Sequence, residues 1–247
     1  PAKVGESFPV RSIESGPVGG VMLAQNIGKL TAGENQDMLS FDMGGTTAKA
    51  CLIKNGTIPK SKDYEVARME RFKKGSGIPV VTPVIELLEI GAGGGSIARI
   101  NEMGLLQVGP QSSGADPGPA CYGRGGASPC VTDADLVLGY LDPNFFLGGE
   151  MKLDREAAWT AVDKNIATPL RISATEAAYG IHNIVNENMA LAAKIHMAEK
   201  GGDPLRTAMV AFGGAGPVHA YGLAKKLRMK KVILPLRAGV ASAIGFF

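Results

Sequence analysis

Short apolar, β-branched runs interleave along this chain with longer amphipathic stretches, and the two patterns predict strands and helices in a definite order. Residues 7–13 read as extended. Ser15-Gly16-Pro17 then opens a helix to about Leu30, with Ser15 able to cap and Pro17 suited to the first turn. Met38–Asp42 and Thr47–Ile53 are strand-like runs joined through Gly44-Gly45. Asn55-Gly56 is a hairpin turn signal, which makes Thr57–Pro59 the third strand of a meander. Residues 60–80 are charged and read as an exposed excursion. Pro79–Ile90 is apolar and edge-like, because Pro79 and Pro83 cannot donate to a ladder. Ile97–Ile100 and Leu105–Val108 flank a four-residue turn and form a hairpin.

Residues 109–130 lose the pattern altogether, and a loop of that length inside a compact chain is usually functional or disordered. Beyond it, helical spacing returns. Asp133–Tyr140 is a short helix or turn, and Asp154–Asn165 is amphipathic with Asp154 as its cap. Ser173 opens the longest helix, to about Lys200, with Glu176 at capping-box spacing and Gly201-Gly202 as the stop. Met209–Phe212, Val218–Leu227 and Lys231–Leu234 read as strand, helix and strand. The sum is an α/β chain with a mixed sheet flanked by helices.

Composition narrows the function. Hydrophobic residues at 45% and charged residues at 20% are those of an ordinary globular protein. The 34 glycines stand out against a usual share of roughly 7%. They cluster at 91–95, 123–126, 148–149, 201–202 and 213–216, which points to tight turns and close backbone approach to a ligand. A net charge of +3 gives no nucleic-acid surface, and the basic residues from Lys225 to Lys231 read as a solvated helix end. Three cysteines without a CxxC pair suit a reducing cytosol. No run is apolar enough to span a bilayer. The first residue is not Met and the last two are Phe, so residues 1–247 read as a piece cut out of a longer protein.

Two segments carry candidate chemistry. Phe41–Lys49 places a carboxylate, Asp42, at a strand end before Gly44-Gly45, Thr46 and Thr47. Backbone N–H groups at such glycines can approach phosphate oxygens, and Asp42 can hold Mg²⁺ directly or through water. The same residues could equally form a plain hairpin. Gly213-Gly214-Ala215-Gly216 sits where a buried strand enters a helix. Unpaired N–H groups there favour a nucleotide, although tight strand–helix packing also wants glycine. Gly91–Ser96 fails as a dinucleotide fingerprint and leaves at most an anion nest.

Together the first two segments resemble the hairpin and adenosine turn of the actin/Hsp70/sugar-kinase ATPases, which have a ribonuclease H-like fold. A finer resemblance is to the hydantoinase A/5-oxoprolinase family. It rests on Ser15–Gly20, Phe41–Thr47, Gly91–Ile97, Val108–Gly125, Val131–Asp135, Phe146–Gly149 and Phe212–His219, in family order across almost the whole chain. That resemblance implies an ATP- and Mg²⁺-dependent enzyme that opens a cyclic amide or imide by phosphorylating its carbonyl. ATP-dependent ketone carboxylation is the alternative activity, and a non-catalytic nucleotide-binding module is the alternative from another class. It also implies a hydantoinase B-type partner subunit or fused domain, while the cysteine, charge and hydropathy readings above lead to the expectation of a cytoplasmic protein with no nucleic-acid or membrane partner.

By the same resemblance, Asp42 and Asp116 are candidate catalytic residues. Gly44, Gly45, Thr46, Thr47, Lys49 and Gly213–Gly216, including Gly214 and Ala215, are candidates for nucleotide binding. Lys49 stands where the family usually has a second Asp, so it either touches phosphate or points to solvent. The family's first phosphate loop and a C-terminal region do not occur in these residues, so the isolated piece is expected to be inactive.

Asp116 precedes Pro117, which also makes it an ordinary turn former. Cys121 could be a nucleophile or a small buried apolar residue. Asp133 and Asp135 could be paired carboxylates, and Thr132-Asp133 also suits helix capping. His182 and His196 lie nearly on one helix face without a third ligand, and His219 could pack, cap or touch a ligand.

Overall fold

A computed structural model describes residues 6–9, 15–33, 35–66 and 75–245. Helix α1 (Ser15–Ala32) leads into strands β1 (Met38–Met43) and β2 (Ala48–Ile53). A two-stranded ribbon follows, β3 (Lys60–Val66) with β4 (Ile78–Ile85), and then β5 (Leu88–Ile90). Strands β6 (Ser96–Ile100) and β7 (Leu106–Ser112) form a hairpin. Helices α2 (Val131–Val137), α3 (Arg155–Val162) and α4 (Ala174–Glu199) precede β8 (Ala208–Phe212), α5 (Gly216–Leu227), β9 (Lys231–Ile233) and α6 (Ala241–Ile244).

The central sheet has the order β5-β2-β1-β8-β9. β1, β2 and β5 run as an antiparallel meander, while β8 and β9 lie parallel to β1. Alternation along β1 sorts the core. Leu39, Phe41 and Met43 face a cluster that includes Ile181, Val185 and Met189 of α4 and Leu223 of α5. Met38, on the other face, joins Val210 and Phe212 against Val21 and Ala24 of α1. Each fully buried Leu, Phe, Met or Val side chain contributes about 1.5–3 kcal/mol, so the central strands are firmly anchored. The result is a mixed α/β sheet covered by helices on both faces, as the sequence pattern predicts.

The local signals explain the element ends. Ser173 accepts from the Glu176 N–H at 3.2 Å while Glu176 accepts from the Ser173 N–H at 2.9 Å, the reciprocal capping box. Asp154 caps α3 through the N–H groups of Glu156 and Ala157, both at 2.9 Å. Gly201, at φ 64°, ends α4.

Three sequence expectations differ from the structure. The Asn55-Gly56 turn is present, with both residues at positive φ, but it closes only the Lys54–Thr57 bridge. Pro59 lacks the N–H a ladder needs, and the chain leaves the sheet for the β3–β4 ribbon. The third strand of the meander is β5, some thirty residues later. Of the run 7–13 read as extended, Ser7 is helical and Pro9 lies in a 3-10 turn, and 10–13 lie outside the described residues. α2 starts at Val131, two residues before the sequence pattern places it.

Candidate functional site

Because β1 and β8 are parallel, their carboxyl ends share one edge of the sheet, the usual place for a ligand in open α/β folds. Helix α1 begins at that same edge: Gly20 packs on the Phe212 ring, and Gly28, two turns on, packs on Met38 at the opposite end. Asp42 and Phe212 are register partners there.

Three glycine turns meet at this edge. The Gly44 N–H donates to the Thr47 oxygen at 3.1 Å and closes the β1–β2 hairpin. The Gly94 and Gly95 N–H groups donate to the Gly44 and Gly45 oxygens at 3.0 and 2.6 Å. From the other side, the Ala215 N–H donates to the Met43 oxygen at 2.9 Å. The sequence-predicted groups at 42–49 and 213–216 are therefore adjacent in space, although about 170 residues separate them in the chain.

The glycines in these turns serve two different ends. At Gly213, at φ +88°, a Cβ would collide with Asp42 Oδ1 and lie 2.5 Å from the Met43 oxygen. At Gly93 a Cβ would lie 2.6 Å from the Gly45 oxygen. Packing between the turns demands glycine at both positions. At Gly44, Gly45 and Gly214 packing makes no such demand, because a side chain would meet at most one atom, at 3.9 Å, and none of the three has a positive φ. Glycine at those positions leaves the backbone bare toward solvent.

Asp42 is partly buried among these turns, and burial raises its pKa above the usual carboxylate value. Lys49, its register partner across the hairpin, pulls in the opposite direction. Thr46 is exposed and Thr47 half-buried in the same hairpin. Asp116 is not drawn into this cluster by any hydrogen bond. It is exposed on the loop after β7, and its carboxylate has no hydrogen-bond or ion-pair partner among the described residues. The loop does start at the site, since the Ser113 N–H donates to the Gly95 oxygen at 2.9 Å.

Asp133 does structural work. It accepts from the Ala120, Cys121 and Cys130 N–H groups at 3.2, 2.8 and 2.8 Å, which ties the 120–122 turn to the start of α2. Cys121 is fully buried beside it, and burial together with the Asp133 charge pushes its thiol far above the ordinary value. A thiol held in that state is a poor nucleophile.

The family model for hydantoinase/oxoprolinase matches residues 2–247. The chain belongs to this family. A protein of Methanocaldococcus jannaschii is 43% identical over 96% of this chain and 35% of its own length. The caprolactamase subunit alpha of Pseudomonas jessenii is 39% identical over 99% of this chain and 34% of its own length. Among solved structures, the ATP-dependent caprolactamase of that organism superposes with a TM-score of 0.77 at 40% identity, over 94% of this chain and 31% of its own. The nucleotide-free acetone carboxylase superposes with a TM-score of 0.81 at 31% identity, over 93% of this chain and 31% of its own. The chain thus spans about a third of the length of each of these relatives. These hydantoinase/oxoprolinase relatives include ATP-dependent enzymes acting on a lactam and on a ketone.

Sequence reasoning missed a second polar cluster in this family member. Asp135 is buried in α2, and both of its oxygens are taken: His182 Nδ1 lies 2.7 Å from Oδ1, and His219 Nε2 lies 3.1 Å from Oδ2. The two imidazoles stack at 4.6 Å with 17° between planes, and Tyr140 sets its edge against His182. His219 Nδ1 meets the Asn186 amide at 3.0 Å. Burial alone would raise the Asp135 pKa, but the charge and hydrogen bonds of His219 and His182 outweigh it and hold the carboxyl below its ordinary value.

Donor atoms of Asp135, His182 and His219 all lie within 4.8 Å of one another. Even so, an ion bound by both imidazoles must lie in both ring planes, and two nearly parallel planes do not meet nearby. The geometry is that of a carboxylate clamped by two N–H donors. A signal was present in the sequence: His182 and Asn186 are four residues apart on α4, polar positions within the buried stripe of Ala178, Ile181, Val185 and Met189.

Proposed function

We propose that this chain is the nucleotide-binding portion of an ATP-dependent enzyme that opens a cyclic amide or imide by phosphorylating its carbonyl oxygen. What carries the reading is the meeting of the Gly44–Gly45 and Gly213–Gly216 turns beside Asp42, with bare backbone at Gly44, Gly45 and Gly214. An antiparallel meander followed by two parallel strands on the β1 side supports a ribonuclease H-like, actin-type ATPase fold for this portion.

The chemistry matches the need. An amide carbonyl is a poor electrophile, and transfer of a phosphoryl group to its oxygen turns that oxygen into a leaving group. The protein's part in such a transfer is positioning and charge stabilisation. Thr46, Thr47 and the Gly45 and Gly214 N–H groups would offer donors to phosphate oxygens, while the Gly44 and Ala215 N–H groups are taken by the Thr47 and Met43 oxygens. Asp42 would hold Mg²⁺, which would neutralise phosphate charge when bound. A single carboxylate suits an ion that keeps most of its waters. Lys49 faces the same edge and would pair with phosphate. Asp116, on the loop that leaves from Gly95, is our candidate for contact with the substrate. A second, hydantoinase B-type subunit or domain would complete the substrate pocket.

The similarity to acetone carboxylase favours a second reading, ATP-dependent ketone carboxylation. The full-length enzyme with its partner subunit separates the two. Phosphate release stimulated by lactams, hydantoins or 5-oxoproline supports the hydrolase. Release that needs both a ketone and bicarbonate supports the carboxylase. Nucleotide binding with neither stimulation rejects both in favour of a non-catalytic module.

A further inference from the structure

The contacts around the site form a closed circuit. The β1–β2 hairpin accepts from Gly94 and Gly95. The Gly94 oxygen in turn accepts from the Thr132 N–H at 2.8 Å and from the Thr132 hydroxyl at 2.9 Å, so α2 holds this turn. Three residues along α2, Asp135 holds His219 in the first turn of α5, and α5 begins at the Ala215–Gly216 turn that docks back on Met43. His182 and Asn186 brace the same point from α4.

Building on the nucleotide-binding reading above, we propose that Asp135 is a positioning residue: by accepting from His219 and His182 it fixes the start of α5, and with it the Gly213–Gly216 turn, at the distance from the hairpin that one nucleotide requires. Beyond the β1–β8 ladder that ends at Phe212, the turn is otherwise tied to β1 by the Ala215–Met43 hydrogen bond and by apolar packing. A buried carboxylate with two donors aimed at its separate oxygens has one low-energy arrangement, so it sets position as well as adding stability.

The test uses the full-length chain, with ADP titrations and backbone hydrogen exchange. Asp135→Leu fills similar space and offers no acceptor. We expect it to weaken ADP at least tenfold and to speed exchange at the Gly214–His219 amides, with β1 and β2 unchanged. Asp135→Asn can still accept from His182 and, after a change of His219 tautomer, donate to that ring, so it should stay within about threefold of the parent. Where the leucine variant does not fold, His182→Phe keeps the ring stack and deletes one donor. It should cost about fivefold in ADP affinity, beyond the range allowed to Asp135→Asn, and speed exchange at the same amides.

Parent-like binding and exchange in Asp135→Leu, or in His182→Phe where that variant stands in, overturn the proposal. So does an Asp135→Asn variant as impaired as the leucine one, since charge and not geometry would then be the requirement. A stoichiometric zinc ion in the purified parent that is lost in His182→Phe overturns it as well. If the parent itself binds no ADP, the nucleotide reading fails, and the exchange data alone still decide whether Asp135 positions the turn.

Discussion

Asp42 and Asp135 are both withdrawn from water, yet they sit in opposite surroundings. Asp42 lies among bare glycine turns with one lysine opposite, and burial raises its pKa. Asp135 has a hydrogen-bond donor on each oxygen, and its pKa is lowered. The first carboxylate is perturbed upward by burial, which on the reading proposed above would suit it to a bound cation. The second is satisfied within the protein and holds neighbouring elements in place. The contrast separates a group available for ligand chemistry from one committed to architecture.

The largest test of that contrast is Asp135→Ala. It leaves two imidazole donors buried without their acceptor and should cost about 3–5 kcal/mol of stability, read from denaturant unfolding of the full-length chain. A cost below 1 kcal/mol would dissolve the distinction. Next is Asp42→Asn in the complete enzyme. Turnover should fall about 10²–10³-fold, the loss typical of a group that acts on transition-state charge. The melting temperature of the nucleotide-free protein should hold or rise, because a carboxylate with a raised pKa disfavours the folded state once ionised.

The pH dependence sharpens the same comparison, with opposite signs. A raised folded pKa means that Asp42 lowers stability as pH climbs from its ordinary value of 3.8 through the folded pKa, so the Asp42→Asn advantage should fade on acidification toward that value. A lowered folded pKa means that the Asp135 contribution is complete above 3.8 and is lost only as pH falls further, through its folded pKa. Calorimetric scans across that range distinguish the two slopes. The smallest effect concerns two neighbouring glycines. Gly213→Ala meets both a positive φ and two oxygens and should destabilise by about 1–3 kcal/mol. Gly214→Ala should change stability by less than about 0.5 kcal/mol, its cost appearing in nucleotide affinity instead.

Much of the Asp42 region was readable in the sequence, because its components are local. A strand end, two glycines and two threonines are contiguous, and a strand–glycine–helix junction announces itself at 212–217. Their adjacency came from the family resemblance, since no local pattern reports which strands pair. The Asp135 region was not readable, because its four polar groups come from three helices, at separations of 47 and 84 residues from the aspartate. Taken singly, Asp135 looked like one of a carboxylate pair, His182 like a ligand without partners, and His219 like a residue that could pack, cap or touch a ligand. The third meander strand was misplaced for a related reason: a strong turn signal at Asn55-Gly56 fixes a reversal of direction, not how far the ladder continues.

The outer strands of the sheet, β5 and β9, have three residues each. So few unpaired backbone groups make a poor template for β-augmentation, and they also protect the chain from edge-to-edge aggregation. If the chain acts within a larger enzyme, as proposed above, further polypeptide is expected to dock through helix faces and loops and not along these strands.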